Sequence, residues 1–207
     1  MYANFNTTQH KGKHYMTEYN IKDEINDLHA EAERLPFVKK VLTGRVTQPE
    51  YAEYLYQLMS IYSPLEVSSR LQGLFDTLPG IERLQSVYED YLELRNPDNL
   101  ERLLPETMAY HNYLMMLAND PYRRHLIMAH NYVRYLGDLN GGQLFAKLVP
   151  GSGRMYQFED TASLITNFRK LMEVDREFID EARVAFNYMI QIVRALGDRC
   201  EACVNET

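Results

Sequence analysis

Apolar positions recur along the chain at three- and four-residue intervals, and no strand-length run alternates apolar with polar residues. Ile21, Ile25, Leu28, Ala32 and Leu35 mark a first helix over about 17–35. The stretch "TQPE" then offers Thr47 as N-cap, Pro49 in the first turn and Glu50 to close a capping box. The helix it starts is predicted to run to about Leu74, with a bend near Pro64. "TLPG" (77–80) reads as a turn and "IERLQSVYEDYLEL" as a third helix, broken by "RNPDN". "LPETMAYHNYLMMLA" is a fourth helix, and "NDPYRRHLIMAHNYVRYLGDLNGGQLFAKLV" a long fifth, started by Asp120 and Pro121. After the loop "PGSGR" (150–154), one or two further helices end near "LGDRC". The pattern predicts one all-α domain over 17–198, with a polar, mobile arm at 1–16 and a short tail at 199–207.

With 207 residues, 45% of them hydrophobic and 25% charged, the chain has the make-up of a soluble globular domain with a core to bury. A formal charge of −7, with no stretch dense in Lys or Arg, argues against non-specific nucleic-acid binding. No apolar run approaches the roughly 18 residues of a membrane helix, and the N-terminus lacks a signal-peptide hydrophobic region. The lack of a C-terminal anchor favours a soluble, cytoplasmic, microbial or viral form. Cys200 and Cys203 make no disulfide framework and suit a reducing cytoplasm. Their "CEAC" spacing supplies only two sulfurs, too few for a structural zinc site. No Glu-x-x-His occurs, which counts against a di-iron carboxylate oxidase.

Two constellations carry candidate chemistry. "RYLGDLNGGQ" (134–143) places three glycines inside a helix, where each costs about 1 kcal/mol relative to Ala. Gly137 and Gly141, four apart, share a face that Arg134, Asp138 and Phe145 flank. Something broad could approach the backbone there, and the helix could bend at Gly141 and Gly142. Close helix packing, with Arg134 and Asp138 as a surface i,i+4 pair, explains the motif equally well. In "KDEINDLHAEAER" (22–34), Glu33 lies one turn beyond His29, placed to accept from its imidazole as the partner of a metal-ligating His does. Lys22 is two turns back, roughly 10 Å along the helix. Metal ligand and ligand edge on one helix is a geometry for haem, although an exposed His with an incidental Glu has the same spacing.

"HNYVRYLGDLNGGQ" resembles the distal-helix signature of the haem oxygenase family, whose usual form is RYLGDLSGGQ. "LHAEAE" resembles that family's proximal-histidine stretch, "IYSPLE" (61–66) its following helix and "EARVAFNYMIQI" (181–192) its C-terminal helix. The likeness runs in order from about 17 to 197. It implies a helical fold with haem b between proximal and distal helices, as both substrate and oxygen-activating cofactor. The products it implies are biliverdin, carbon monoxide and ferrous iron, with electrons from a ferredoxin or a reductase. His29 would be the proximal iron ligand and Glu33 its orienting partner. Gly137 and Gly141 would let the distal backbone lie against the haem face, with Gly142 adding flexibility. Asp138 would anchor a water network on the oxygen side, joined by Arg134 and Tyr62. Lys22 and Tyr132 fall at propionate-contacting positions, and Phe186 would line the pocket.

Two departures stand out. Asn140 replaces the usual Ser, and "ITNFRKLMEVDREF" (165–178) is several residues shorter than its counterpart in many relatives. Further propionate contacts would come from that stretch, with Arg169 and Lys170 as candidates and Arg176 behind them. "PYRRH" and "VKK" offer positive charge to an acidic electron donor, although a solvated face explains them equally well, and a downstream bilin-using protein is a further partner the resemblance admits. The alternatives are a non-catalytic haem-binding or trafficking protein on the same fold, and a non-haem hydrolase of the same fold group. The second would need a Cys nucleophile or bundle carboxylates, and neither Cys lies in a core helix.

Overall fold

The computed structural model describes residues 20–98 and 101–205, with the backbone alone for 200–205; the polar arm (1–16) expected from the sequence lies outside the described residues. Within them all regular structure is helical. The helices are α1 (Ile21–Arg34), α2 (Pro36–Leu42), α3 (Gln48–Leu71), α4 (Leu74–Thr77) and α5 (Leu84–Leu94). They continue as α6 (Pro105–Asn119), α7 (Ile127–Asn131), α8 (Gly137–Phe145), α9 (Thr161–Leu171) and α10 (Arg176–Asn205).

The central element is α3. Its capping box forms as the sequence predicts, with the Thr47 N–H donating to the Glu50 carboxylate at 2.9 Å. Leu55, Leu58, Ile61 and Leu65 are fully buried where α3 packs on α5 and α6, each contributing roughly 1.5–3 kcal/mol. Pro64 sits within this helix and has no N–H for the Ser60 carbonyl. The ring Nδ1 of His111 on α6 takes that carbonyl instead, at 2.7 Å. Gly73, in the left-handed region at φ 72°, ends the run and separates α4 from it.

Among the departures from the expected outline, two stand out. A short helix, α2, follows α1 directly, because Leu35 turns extended and Pro36 begins a new helix at its first position. Its seven residues are too few to declare a period. The long fifth helix predicted over 119–149 is instead a 3₁₀ turn (Arg124–Leu126), α7, a π turn (Tyr132–Leu136) and α8. Pro121 is exposed in a turn, and the helix ends at Phe145, short of the predicted limit.

The last helix, α10, packs on α1, α2, α6 and α7 and runs past the expected stop to Asn205. Ion pairs tie it to α1. The Arg183 guanidinium grips the Asp27 carboxylate at 2.8 and 2.7 Å and holds its pKa down to about 2, and Arg194 pairs with Glu31 at 2.8 Å. Behind α7, the fully buried His130 bridges α6 and α10. Its Nε2 meets Glu181 and its Nδ1 the Tyr110 hydroxyl, at 2.8 and 2.9 Å. Burial lowers the His130 pKa, and the Glu181 carboxylate pulls the other way. Every polar end of this bridge is paired.

Candidate active site

A cavity of about 950 Å³ opens between α1 and the segment made of the π turn and α8. That is near the upper end of the roughly 300–1,000 Å³ of small-molecule sites. Lys22, Ile25, His29 and Glu33 line it from α1; Phe186, Met189, Ile190 and Val193 line it from α10. Four-residue spacing along α1 brings Ile25, His29 and Glu33 to this one face. The His29 side chain is 60% exposed, and its Nδ1 lies 3.4 Å from Glu33, leaving Nε2 as the nitrogen available to a ligand. Its ring stands 6.2 Å from that of Phe186.

The glycines face the same space. A Cβ built on Gly137 meets nothing within 4 Å, so this position presents bare backbone to the cavity. Gly137→Ala is therefore expected to stabilise the protein by up to about 1 kcal/mol through helix propensity, while weakening the binding of a flat ligand laid against this backbone. Thermal unfolding and a ligand titration of the same variant check both signs. Gly141 lines the cavity too, but a Cβ there would meet the Phe145 ring at 2.8 Å. Gly142 lies off the cavity, buried where a Cβ would meet Tyr156 at 3.1 Å. Its absent side chain serves the packing of α8 on the 154–156 turn. Asn140, the departure from the usual Ser, donates its amide to the Leu136 carbonyl at 2.6 Å.

Beside the glycines sits a buried polar cluster. The Tyr62 hydroxyl donates to Asp138, Arg134 donates to the Tyr62 oxygen at 3.1 Å, and the guanidinium stands 3.8 Å from Asp138. Arg134 also reaches the Met189 sulfur at 3.3 Å. The reading of Arg134 and Asp138 as a surface pair is thus overturned: both are buried, at 6% and 7% exposure. Arg134 sits at the middle of the π turn that leads into α8, and π segments of this kind gather at functional sites. Burial raises the Asp138 pKa above the ordinary carboxylate value, and the Arg134 charge opposes that rise. Arg134 and Asp138 line the cavity; Tyr62 is fully buried behind them.

At another part of the rim, Tyr132 and Arg169 line the cavity with Lys22. Burial raises the pKa of the Tyr132 hydroxyl, and Arg169 draws it partly back. Lys170, by contrast, lies off the cavity, exposed and 3.3 Å from Asn167. Arg176 also lies elsewhere, paired with Asp180 at 2.9 Å. One helical step of about 100° separates Arg169 from Lys170 and sends them to different surroundings. Sequence reasoning passed over Tyr54, two four-residue steps before Tyr62 on α3, and also Met172, Val174 and Tyr156, all of which line the cavity. The α3 register could have revealed Tyr54. Tyr156 follows a glycine-rich turn that carries no period.

The fit to a planar, mostly apolar, anionic-edged macrocycle is good. The walls are aliphatic and aromatic, two cations stand at the rim, and the cradle at Gly137 is one a side chain would fill.

The heme oxygenase family model matches residues 17–195. Heme oxygenase 1 of Bos taurus is 28% identical over 206 residues, covering 85% of this chain and 70% of its own. The heme oxygenase of Porphyra purpurea is also 28% identical, covering 86% of this chain and 85% of its own. In three dimensions the chain is similar to heme oxygenase-1 of Synechocystis in complex with heme. The TM-score there is 0.76 at 23% identity, over 89% of this chain and 94% of that one. The family model spans α1 through most of α10, and the chain belongs to the heme oxygenase family.

Proposed function

We propose that this chain is a haem oxygenase that cleaves haem b with O₂ and electrons to biliverdin, carbon monoxide and ferrous iron, with its substrate held in the cavity between α1 and α8. The observation that carries the reading is a single cavity lined by a reachable imidazole at His29, bare backbone at Gly137, and Arg134 and Asp138 with Tyr62 bonded to both behind them. When bound, the haem supplies both the iron at which oxygen is activated and the ring that is cleaved.

The residues divide the remaining work. His29 would give Nε2 to the iron while Glu33 holds Nδ1 and fixes the ring. A neutral imidazole there would give the iron a nitrogen ligand without the electron push of a thiolate. Gly137 and Gly141 would let the α8 backbone lie flat over the macrocycle. Asp138 would hold water over the oxygen side by hydrogen bonding, fixed in turn by Tyr62 and Arg134. Lys22, Arg169 and the Tyr132 hydroxyl would meet the propionates, and Phe186 would pack on the ring. Electrons would come from a ferredoxin or a reductase in the cytoplasm, with "PYRRH" and "VKK" as candidate docking charges, and a bilin-using protein would take the product. Among the described residues no helix is long and apolar enough to cross a membrane.

Storage of haem is a weaker reading, because a binding protein has no use for a buried carboxyl beside a bare helix face. One experiment separates the two: haemin added to the protein should give a Soret band, which reductant and oxygen then convert to bilin absorbance. A stable Soret band would leave only binding, and no band would end the haem reading.

A further inference from the structure

The 3₁₀ turn Arg154–Tyr156 packs on α8 on one side and on α5 on the other. Toward α8 the approach is close. A Cβ built on Gly142 would meet the Tyr156 side chain at 3.1 Å and its Cα at 3.5 Å, and the Tyr156 ring stands 5.6 Å from that of Phe145. Gly153, just before the turn, is nearly as tight: a Cβ there would meet the Ala146 backbone at 3.4 Å. Tyr156 also lines the cavity, so this turn both backs α8 and forms part of the wall beside it.

So short a turn cannot satisfy all its own backbone groups, and its place is set by the side chains that take them. Here α5 supplies those side chains. Asp90, 1% exposed, accepts from the Arg154 N–H through Oδ1 and from the Met155 N–H through Oδ2, both at 2.9 Å. Backbone bonds to an ionised carboxylate are about twice as strong as neutral ones, and two on one acid fix its orientation. Arg83, at the start of α5, is buried as well and donates to the Gln157 carbonyl at 2.8 Å. Its guanidinium lies 3.9 Å from the centre of the Phe158 ring and donates to the Gly80 carbonyl at 2.7 Å, which ties it to its own loop. Neither Asp90 nor Arg83 lines the cavity.

We infer that Asp90 is a positioning residue for α8: with Arg83 it holds the 153–157 segment in place behind Gly142, so that α8 cannot retreat from a ligand in the cavity. Gly137 and Asp138 then keep their setting over that ligand because α5, on the far side of the turn, braces the helix that carries them. The brace stands on the contacts alone, whereas its consequence for turnover rests on the haem oxygenase reading. Asp90 does not touch the reacting atoms; it acts through Tyr156 and α8.

The test uses Asp90→Asn, which keeps the side chain's size but sets an amide donor against one of the two backbone N–H groups. In haem-free protein the Arg154 or Met155 amide, whichever loses its acceptor, should exchange with solvent about tenfold faster, while the amides of α10 keep their rates. No acceleration at the turn, or an equal one throughout the chain, overturns the brace. In the haem-loaded protein a pair of variants reads the role in turnover. Gly142→Ala sets a methyl against Tyr156 and, with the turn braced, displaces α8 instead, which should lower kcat about tenfold. In the Asp90→Asn background the turn can yield, and the same methyl should cost only about twofold. Equal costs in the two backgrounds overturn the positioning role, as does full turnover in Gly142→Ala, because general destabilisation would give no such relief. Arg83→Lys, which releases the Gln157 carbonyl, repeats both measurements on the second tie and decides the question where Asp90→Asn does not fold. If wild type forms no bilin at all, the functional reading fails, while the exchange rates still decide the brace.

Discussion

His29→Ala is expected to cut bilin formation more than about 100-fold, or about 2.7 kcal/mol in barrier, and to change the Soret spectrum of the haem complex, while the unfolding temperature barely moves. The two halves of that result come from one observation. The imidazole is 60% exposed and, among the described residues, its one ion-pair partner is Glu33 at 3.4 Å. Substitutions at such places usually alter stability by less than about 0.5 kcal/mol. A residue that the fold can spare and the chemistry cannot is the signature of a ligand. Absorbance spectra and product chromatography make the measurement, and an iron spectrum identical to wild type would rule His29 out.

Asp138→Ala is expected to behave in the opposite way on stability. Removing the carboxyl leaves the Tyr62 hydroxyl without its acceptor and the buried Arg134 cation without its nearest counter-charge. Breaking a buried pair from one side costs about 3–5 kcal/mol; the 3.8 Å separation, bridged by Tyr62, places this one near about 3 kcal/mol. Denaturant unfolding reads that loss. Haem binding should survive, since His29 and the apolar walls are untouched, but bilin yield should fall about 10²-fold, the scale of losing one well-placed polar group at a reacting centre. Full bilin yield would remove Asp138 from the oxygen side. Asp138→Asn, which keeps the volume and a hydrogen bond to Tyr62, should recover stability more than turnover.

The helices that carry the cavity were legible because their periodicity is strong. The stripe through Ile25 and Leu28 placed α1, and the Thr47–Glu50 capping box marked the start of α3 in the sequence and in space alike. The candidate residues His29, Gly137 and Asp138 sit on one cavity because α1 and α8 expose the faces that four-residue spacing predicted. Legibility failed where local sequence does not encode the outcome. Arg134 and Asp138 look like a solvated pair until α3 and α10 close over them with Tyr62 and Met189. Lys170 differs from Arg169 only by rotation about α9, and an uncertain register cannot settle that choice. Gly142 looks like its neighbours in the motif, yet its reason for lacking a side chain is Tyr156, which a turn brings back from beyond Gly153.

The π turn at Tyr132–Leu136 makes length itself a constraint on this protein. One surplus residue is accommodated in that turn, and each residue of an ordinary helix advances the side chains by about 100°. Excising any one of the five would let the backbone relax into a regular spiral, and everything downstream would rotate by about that angle relative to α7. Asp138 would then swing away from Tyr62, and Gly137 would carry its bare backbone away from the cavity. Point changes here can be conservative, but a single-codon deletion cannot.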